Sequence, residues 1–157
     1  MTGFLYIEFL GHHVGTDTLA PKEAKVAEIL QVPQPKTKKQ VRSFLGMVGY
    51  YSKFIPNFAD VPKPLTDLTK KGGLNTVSLG ETQETSFQKL KEGVSQRPIL
   101  QIVDFGKPLF LVTDASDGGL GGCLMQQIEG LYHPIRFLSR KLKGAEQNYS
   151  TIEKDCL

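Results

Sequence analysis

The run Pro108 to Gln126, PLFLVTDASDGGLGGCLMQ, sets one acid, Asp114, at the end of an apolar, strand-like stretch and follows it with small residues and a cluster of glycines. Cutting a phosphodiester bond with two metal ions needs oxygen ligands around ions about 3.5–4 Å apart. Mg²⁺ takes such ligands from carboxylates, substrate phosphate and water. An acid held at a strand tip, beside glycines that let a nucleic-acid backbone come near, suits that chemistry. Strand alternation puts Phe110, Val112 and Asp114 on one face and Leu109, Leu111 and Thr113 on the other. A plainer role also fits these residues: Asp114 caps a strand, and DASDGG supplies turn chemistry.

The elements that would carry this acid can be read from the pattern. GFLYIEFLGHHVGTDTL, broken at Gly11 and Gly15, predicts a hairpin or strand–turn–strand. Val26, Ile29 and Leu30 follow a helical period, with Pro21 expected in the first turn and Pro33 just past the end. Thr37 and Gln40 have capping-box spacing ahead of Val41, Phe44, Leu45 and Val48, an amphipathic helix with Lys38, Lys39 and Arg42 near its start. Tyr50, Tyr51, Phe54 and Phe58 fit either a stacking platform for bases or a small core between short helices, and the helical interleaving favours the core. PKPLTDLTKKGG predicts a short helix ending at Gly72-Gly73, with a domain boundary near 72–82. Phe87, Leu90 and Val94 predict a further helix stopped by Pro98, and the rest reads as three strands and the start of a helix.

Composition sets limits on the reading. A chain of 157 residues, 39% hydrophobic and 22% charged, is that of a folded globular protein. No apolar run reaches the roughly 18–20 residues of a membrane span, and no signal peptide is read at the N-terminus, so an intracellular protein with no membrane partner is expected. Cys123 and Cys156 have no metal-ligand spacing and read as reduced thiols. His12, His13 and His133 read as surface or satisfied polar residues. The net charge of +3 divides into +4 over residues 1–80 and −1 over 81–157. That asymmetry suits a nucleic-acid surface beside a metal site, or is ordinary surface variation.

Six motifs in order, FLGHHVG, VRSFLGMVGYYSKFIPNFA, KPLTDLTKK, SFQKLKEGVSQRPIL, DFGKPLFLVTDASDGGLGGCLMQ and FLSRKLKGAEQNYSTIEKDCL, together resemble the Pol polyprotein of gypsy-type long-terminal-repeat retrotransposons. Any one motif is weak alone; the ordered set, covering about residues 4–157, is specific. The resemblance implies an α+β chain: the end of a reverse transcriptase palm over 1–20, a helical thumb over 21–75, and a truncated ribonuclease H-like α/β domain over 76–157. Three antiparallel strands with helix 84–96 beside them are expected in that last part, with one strand edge exposed.

The resemblance also assigns roles. Phe9, Leu10, Gly11 and His12 match the hairpin that steadies the primer end; Asp114 matches the first metal-binding acid, and Ala115 and Ser116 match positions close to the RNA strand. Ser150 and Glu153 have capping-box spacing, and Asp155 matches the second metal-binding acid. The family usually has Glu there, so the Asp155 oxygens fall short by about one C–C bond, ~1.5 Å. Leu79 stands where the family carries a Trp, and Asp104 and Asp117 match no metal position but read as loop and turn residues.

The implied parent activities are RNA-directed DNA synthesis and Mg²⁺-dependent cleavage of the RNA in RNA–DNA hybrids. This chain lacks the polymerase aspartates and two further ribonuclease H acids, so it is expected to be inactive by itself. The alternatives are a non-catalytic nucleic-acid-binding remnant, or a decayed reading frame without function. The expected partners are RNA–DNA hybrid or DNA duplex, bound weakly through Lys22, Lys25, Lys38, Lys39 and Arg42, and the rest of the polyprotein. A solvated helix face explains each of those cations equally well.

Overall fold

The computed structural model describes residues 6–70, 72, 74–96, 99–115 and 119–150. Three short strands come first: β1 (Ile7–Phe9), β2 (His12–Val14) and β3 (Thr18–Pro21). β1 and β2 form the expected hairpin around Leu10 and Gly11, whose φ values of 46° and 74° are both left-handed. β3 then pairs antiparallel with β2 on one side and with β4 (Leu100–Gln101) on the other, so a strand from the second half of the chain completes the first sheet. Pro21 ends β3 rather than entering a helix; Lys22 is the N-cap, and α1 (Glu23–Leu30) buries Val26 and Ile29.

The capping box forms as the spacing predicts. Thr37 Oγ1 accepts the Gln40 N–H and Gln40 Oε1 accepts the Thr37 N–H, each at 3.2 Å, which satisfies two orphan donors at the start of α2 (Lys38–Tyr50). α2 buries Val41, Phe44 and Val48. A 3₁₀ turn (Ser52–Phe54), the short α3 (Lys63–Asp67) and α4 (Glu81–Ser95) follow.

One hydrophobic core joins these helices. Phe44 and Phe87, both nearly inaccessible, meet with ring centroids 4.5 Å apart, and Leu65, Leu90, Val94 and Leu100 close around them. Burying each such ring contributes about 1.5–3 kcal/mol. The sequence places α4 beside the later strands; instead its stripe Phe87, Leu90 and Val94 packs on α1, α2 and α3, because those helices offer the facing apolar stripes. Buried residues from both sides of the 72–82 stretch therefore share one core, and Leu79 packs against it. The linker is tied down as well: Lys38 N–H donates to Asn75 O, and Val77 N–H to Lys36 O, both at 2.9 Å.

The remaining strands, β5 (Leu109–Ala115), β6 (Gly119–Ile128) and β7 (Leu131–Lys141), form an antiparallel three-stranded sheet in chain order. Glu129 and Gly130, with φ values of 51° and 83°, turn β6 into β7, the positive-φ pair that a tight hairpin favours. β5 is an edge strand, and Leu109, Leu111 and Val112 on it are exposed. Behind the sheet, the fully buried Gln126 side chain holds the 104–107 loop: its amide donates to Asp104 O (2.8 Å) and Lys107 O (3.2 Å) and accepts from Asp104 N–H (2.9 Å). Asp104 is a loop residue, as expected, pairing with the Lys107 ammonium at 3.3 Å and accepting the Gly106 N–H.

Candidate functional site

Asp114 lies one residue from the end of β5, opposite Gly121 of β6, which in turn lies opposite Ser139 of β7. Directly opposed residues share a face, so the acid faces the same way as Val112, Cys123 and Phe137, the alternation the sequence predicts. Its side chain is exposed and borders a cavity of about 170 Å³ that Asn57, Asp60, Gly121 and Ser139 also line. Every polar donor in that lining is oxygen or amide, a hard set that suits a hard cation. Among the described residues no group of three or more His, Cys, Asp or Glu converges as a metal site. Ala115 follows Asp114, half-buried and pointing to the opposite face; Ser116 and Asp155 lie outside the described residues, as do Asp117 and Glu153.

The glycines have a different occupant from the one the sequence suggests. A Cβ at Gly121 would sit 1.9 Å from Asn57 Oδ1, and one at Gly119 would sit 2.9 Å from the Arg140 carbonyl and 3.2 Å from the Asp60 carboxylate. The close approach these glycines permit is thus taken by the chain's own loop between the 3₁₀ turn and α3. Asn57 holds a left-handed φ of 50° there, which an amide side chain tolerates. The buried Ser86 hydroxyl on α4 donates to the Val61 carbonyl and anchors the far end of this loop. Asn57, Asp60 and Ser139 were not legible as site residues. The signal was there in part: two glycines at i and i+2 of one strand mark a close approach on one face, but not by what.

The hairpin presents Phe9 and Leu10 to solvent, 60% and 69% exposed. Of the two readings of His12, surface or satisfied polar, the surface one does not hold. The residue is 5% exposed and packs among the rings of Tyr50, Tyr51 and Phe54, with centroids 5.2, 5.6 and 5.6 Å away. Among the described residues its Nε2 meets no hydrogen-bond partner, and burial, with the Lys53 charge nearby, holds its pKa below the ordinary value. Tyr51, Phe54 and Phe58 join the core, as the helical interleaving suggests, whereas Tyr50 stays half-exposed.

Most of the candidate cations are engaged within the chain. Lys22 pairs with Glu8, and Lys25 with Glu28 at 2.8 Å. Lys38 Nζ donates to the carbonyls of Lys70 (3.0 Å) and Gly72 (2.9 Å), and Arg42 to that of Thr69 (2.8 Å), so both cap the segment after α3. Cations suit such carbonyl-rich ends. Of the five, Lys39 alone is exposed with its ammonium free of protein partners.

Residues 79–157 match the family described as the RNase H-like domain found in reverse transcriptase. The chain belongs to that family. Its relatives are polyproteins of retrotransposons. It is 46% identical over 150 residues to the retrovirus-related Pol polyprotein from transposon 297 of Drosophila melanogaster, covering 95% of this chain and 14% of that protein. It is 40% identical over 161 residues to the polyprotein from transposon gypsy of the same organism, covering 96% and 15%. Against the transposon Tf2-3 polyprotein of Schizosaccharomyces pombe the identity is 34% over 152 residues, covering 96% and 11%. The chain thus spans only a small part of the length of these relatives. Among solved structures it superimposes on the foamy viral protease-reverse transcriptase dRH in complex with ds DNA (TM-score 0.82, 22% identity, 96% of this chain and 26% of that one). It also superimposes on the same enzyme in complex with RNA/DNA hybrid (TM-score 0.80, 22% identity, 96% and 20%). At that identity the likeness is one of fold. Within this RNase H-like family member, α4 and all of β4–β7 fall in the matched stretch, although the apolar side of α4 is spent on α1–α3.

Proposed function

We propose that this chain grips primer-bearing duplex and RNA–DNA hybrid through its hairpin and a thumb spanning the helices α1–α3, and contributes Asp114 to the ribonuclease H centre of a Pol polyprotein. The observation that carries the reading is the exposed Asp114 carboxylate at the end of β5, directly opposite the side-chain-free Gly121 and bordering a cavity lined by hard oxygen and amide groups. The exposed apolar tip at Phe9 and Leu10 suits sugar and base edges at a primer end. The free Lys39 ammonium suits a phosphate.

Asp114, with Asp155 as the matching second acid, would hold Mg²⁺. The ion, when bound, would polarise the phosphoryl oxygen and activate water. Two carboxylates are too few ligands for a two-metal site, so the chain alone binds hybrid without cutting it. The unpaired edge of β5 suits a further strand of the polyprotein. No described helix is long and apolar enough to cross a membrane.

The test is a titration of the isotope-labelled chain with Mn²⁺, read by paramagnetic broadening, beside a Mg²⁺ cleavage assay on hybrid. Broadening centred on residues 113–115 and lost in Asp114→Asn is expected, with no cleavage by either protein. Broadening elsewhere, or none, refutes the metal role of Asp114; cleavage that Asp114→Asn abolishes refutes the inactivity of the isolated chain.

A further inference from the structure

The hairpin turn is held from outside as well as from within. Leu10 and Gly11 both occupy the left-handed region, at φ 46° and 74°, which costs a leucine about 1–2 kcal/mol. Each of their carbonyls is bonded twice. Leu10 O accepts from His12 Nδ1 at 2.9 Å, inside the hairpin, and from the Tyr50 hydroxyl at 2.6 Å. Gly11 O accepts from the Lys22 N–H at 2.9 Å and from the Tyr51 hydroxyl at 3.2 Å. Both lone pairs of both oxygens are therefore used. Tyr50 is the last residue of α2 and Tyr51 its C-cap. Packing accounts for the buried ring of Tyr51, but neither ring needs a hydroxyl in order to pack; a phenylalanine would fill the same space. A Cβ at Gly11 would meet the Tyr51 hydroxyl at 3.0 Å, so the glycine admits this bond as well as the turn.

We infer that Tyr50 and Tyr51 are positioning residues: their hydroxyls tie the tip Phe9-Leu10-Gly11 to the end of α2, so that the tip is presented to a primer 3′ end in register with the thumb. This deepens the reading of the hairpin given above and rests on it. The tie is a property of the free chain, whereas its consequence appears only on nucleic acid, and the two can be measured apart.

Wild type, Tyr50→Phe, Tyr51→Phe and the double variant would be compared in two ways. In the free chain, amide hydrogen exchange over residues 7–14 should quicken by about tenfold in the double variant, with exchange in α2 and α4 and the urea midpoint close to wild type. On a primer–template duplex carrying 2-aminopurine either at the primer 3′ end or well inside the duplex, wild type should alter the terminal probe. The double variant should lose that response while its overall affinity stays within about threefold. Unchanged hairpin exchange overturns the inference. Faster exchange with the terminal response retained overturns the positioning role. A wild-type chain that leaves the terminal probe silent refutes the primer-end reading of the hairpin instead, and the exchange data still decide the tie.

Discussion

Replacing Gly121 with alanine would put a methyl carbon 1.9 Å from Asn57 Oδ1 and 3.1 Å from its Cγ. Cβ atoms essentially never come within 3.0 Å of another heavy atom, so the Asn57 amide must withdraw by about 1 Å or turn out of the cleft. The loop cannot simply back away: Phe58 and Val61 pack against the core on either side, and the Asp60 carboxylate meets Gly119. Overpacking of this kind costs about 1–3 kcal/mol. Because an amide can rotate where a backbone cannot, the expected loss is in the lower half, about 1–2 kcal/mol, with Tm falling by roughly 2–4 °C per kcal/mol. Asn57→Gly removes the obstructing group and is at home at positive φ. In that background Gly121→Ala should cost less than about 0.5 kcal/mol, a coupling of ~1 kcal/mol. Urea unfolding of the four proteins, followed by circular dichroism, measures it. Additive losses would mean that loop 57–60 does not rest on Gly121, and that the cavity beside Asp114 has no such wall.

The other predictions concern charge and burial. His12 is buried with its pKa held below the ordinary 6.5, chiefly by desolvation and then by Lys53 on the 3₁₀ turn, with Tyr50 and Tyr51 packed on the ring. The unfolded chain takes up that proton first, so stability is full above about pH 6.5 and falls as pH drops below it; His12→Phe should flatten the slope just below about pH 6.5. Glu8, Asp67, Asp104 and Glu146 are held below ordinary carboxylate values, by Lys22, by Lys70, by the Gly106 amide with Lys107, and by Arg140 respectively. Their contribution is full above the ordinary carboxylate values of 3.8 to 4.5 and is lost as pH falls through their lowered values. Gln126→Leu strands three backbone groups of the 104–107 loop and should cost about 2–4 kcal/mol in urea unfolding, where an unchanged midpoint would refute the buried clamp. Lys39→Ala should lower the salt dependence of hybrid binding by about one unit of slope without loss of stability. Lys38→Ala should instead lower stability by ~1 kcal/mol, since its ammonium serves two carbonyls; the reverse pattern would overturn the division.

Much of the local structure was legible because it depends on neighbours in sequence. The Thr37–Gln40 box, the stripe of α2 and the alternation around Asp114 are set by side chains within a turn or a strand of one another. What was not legible depends on distant partners. β4 is two residues long, and nothing in Leu100-Gln101 announces that it will pair with Thr18-Leu19. The apolar stripe of α4 says that the helix is covered on one side, not that α1–α3 do the covering. His12 read as either a surface or a satisfied polar residue, and nothing near it in the hairpin separates the two, because the rings that bury it come from about forty residues further on. At the candidate site, Asp114 and its face were legible, the glycines were legible as a close approach, and the identity of the approaching loop was not. The cations were legible as a cluster, but charge alone cannot tell Lys39, free for phosphate, from Lys38 and Arg42, already committed to carbonyls.

The most direct measurement is the fluorescence anisotropy of a labelled RNA–DNA hybrid titrated with the purified chain at several salt concentrations, in the absence of divalent ions. A grip through backbone phosphates predicts saturable binding whose log affinity falls linearly with log salt. Binding that does not change with salt, or none at the lowest salt, would contradict it.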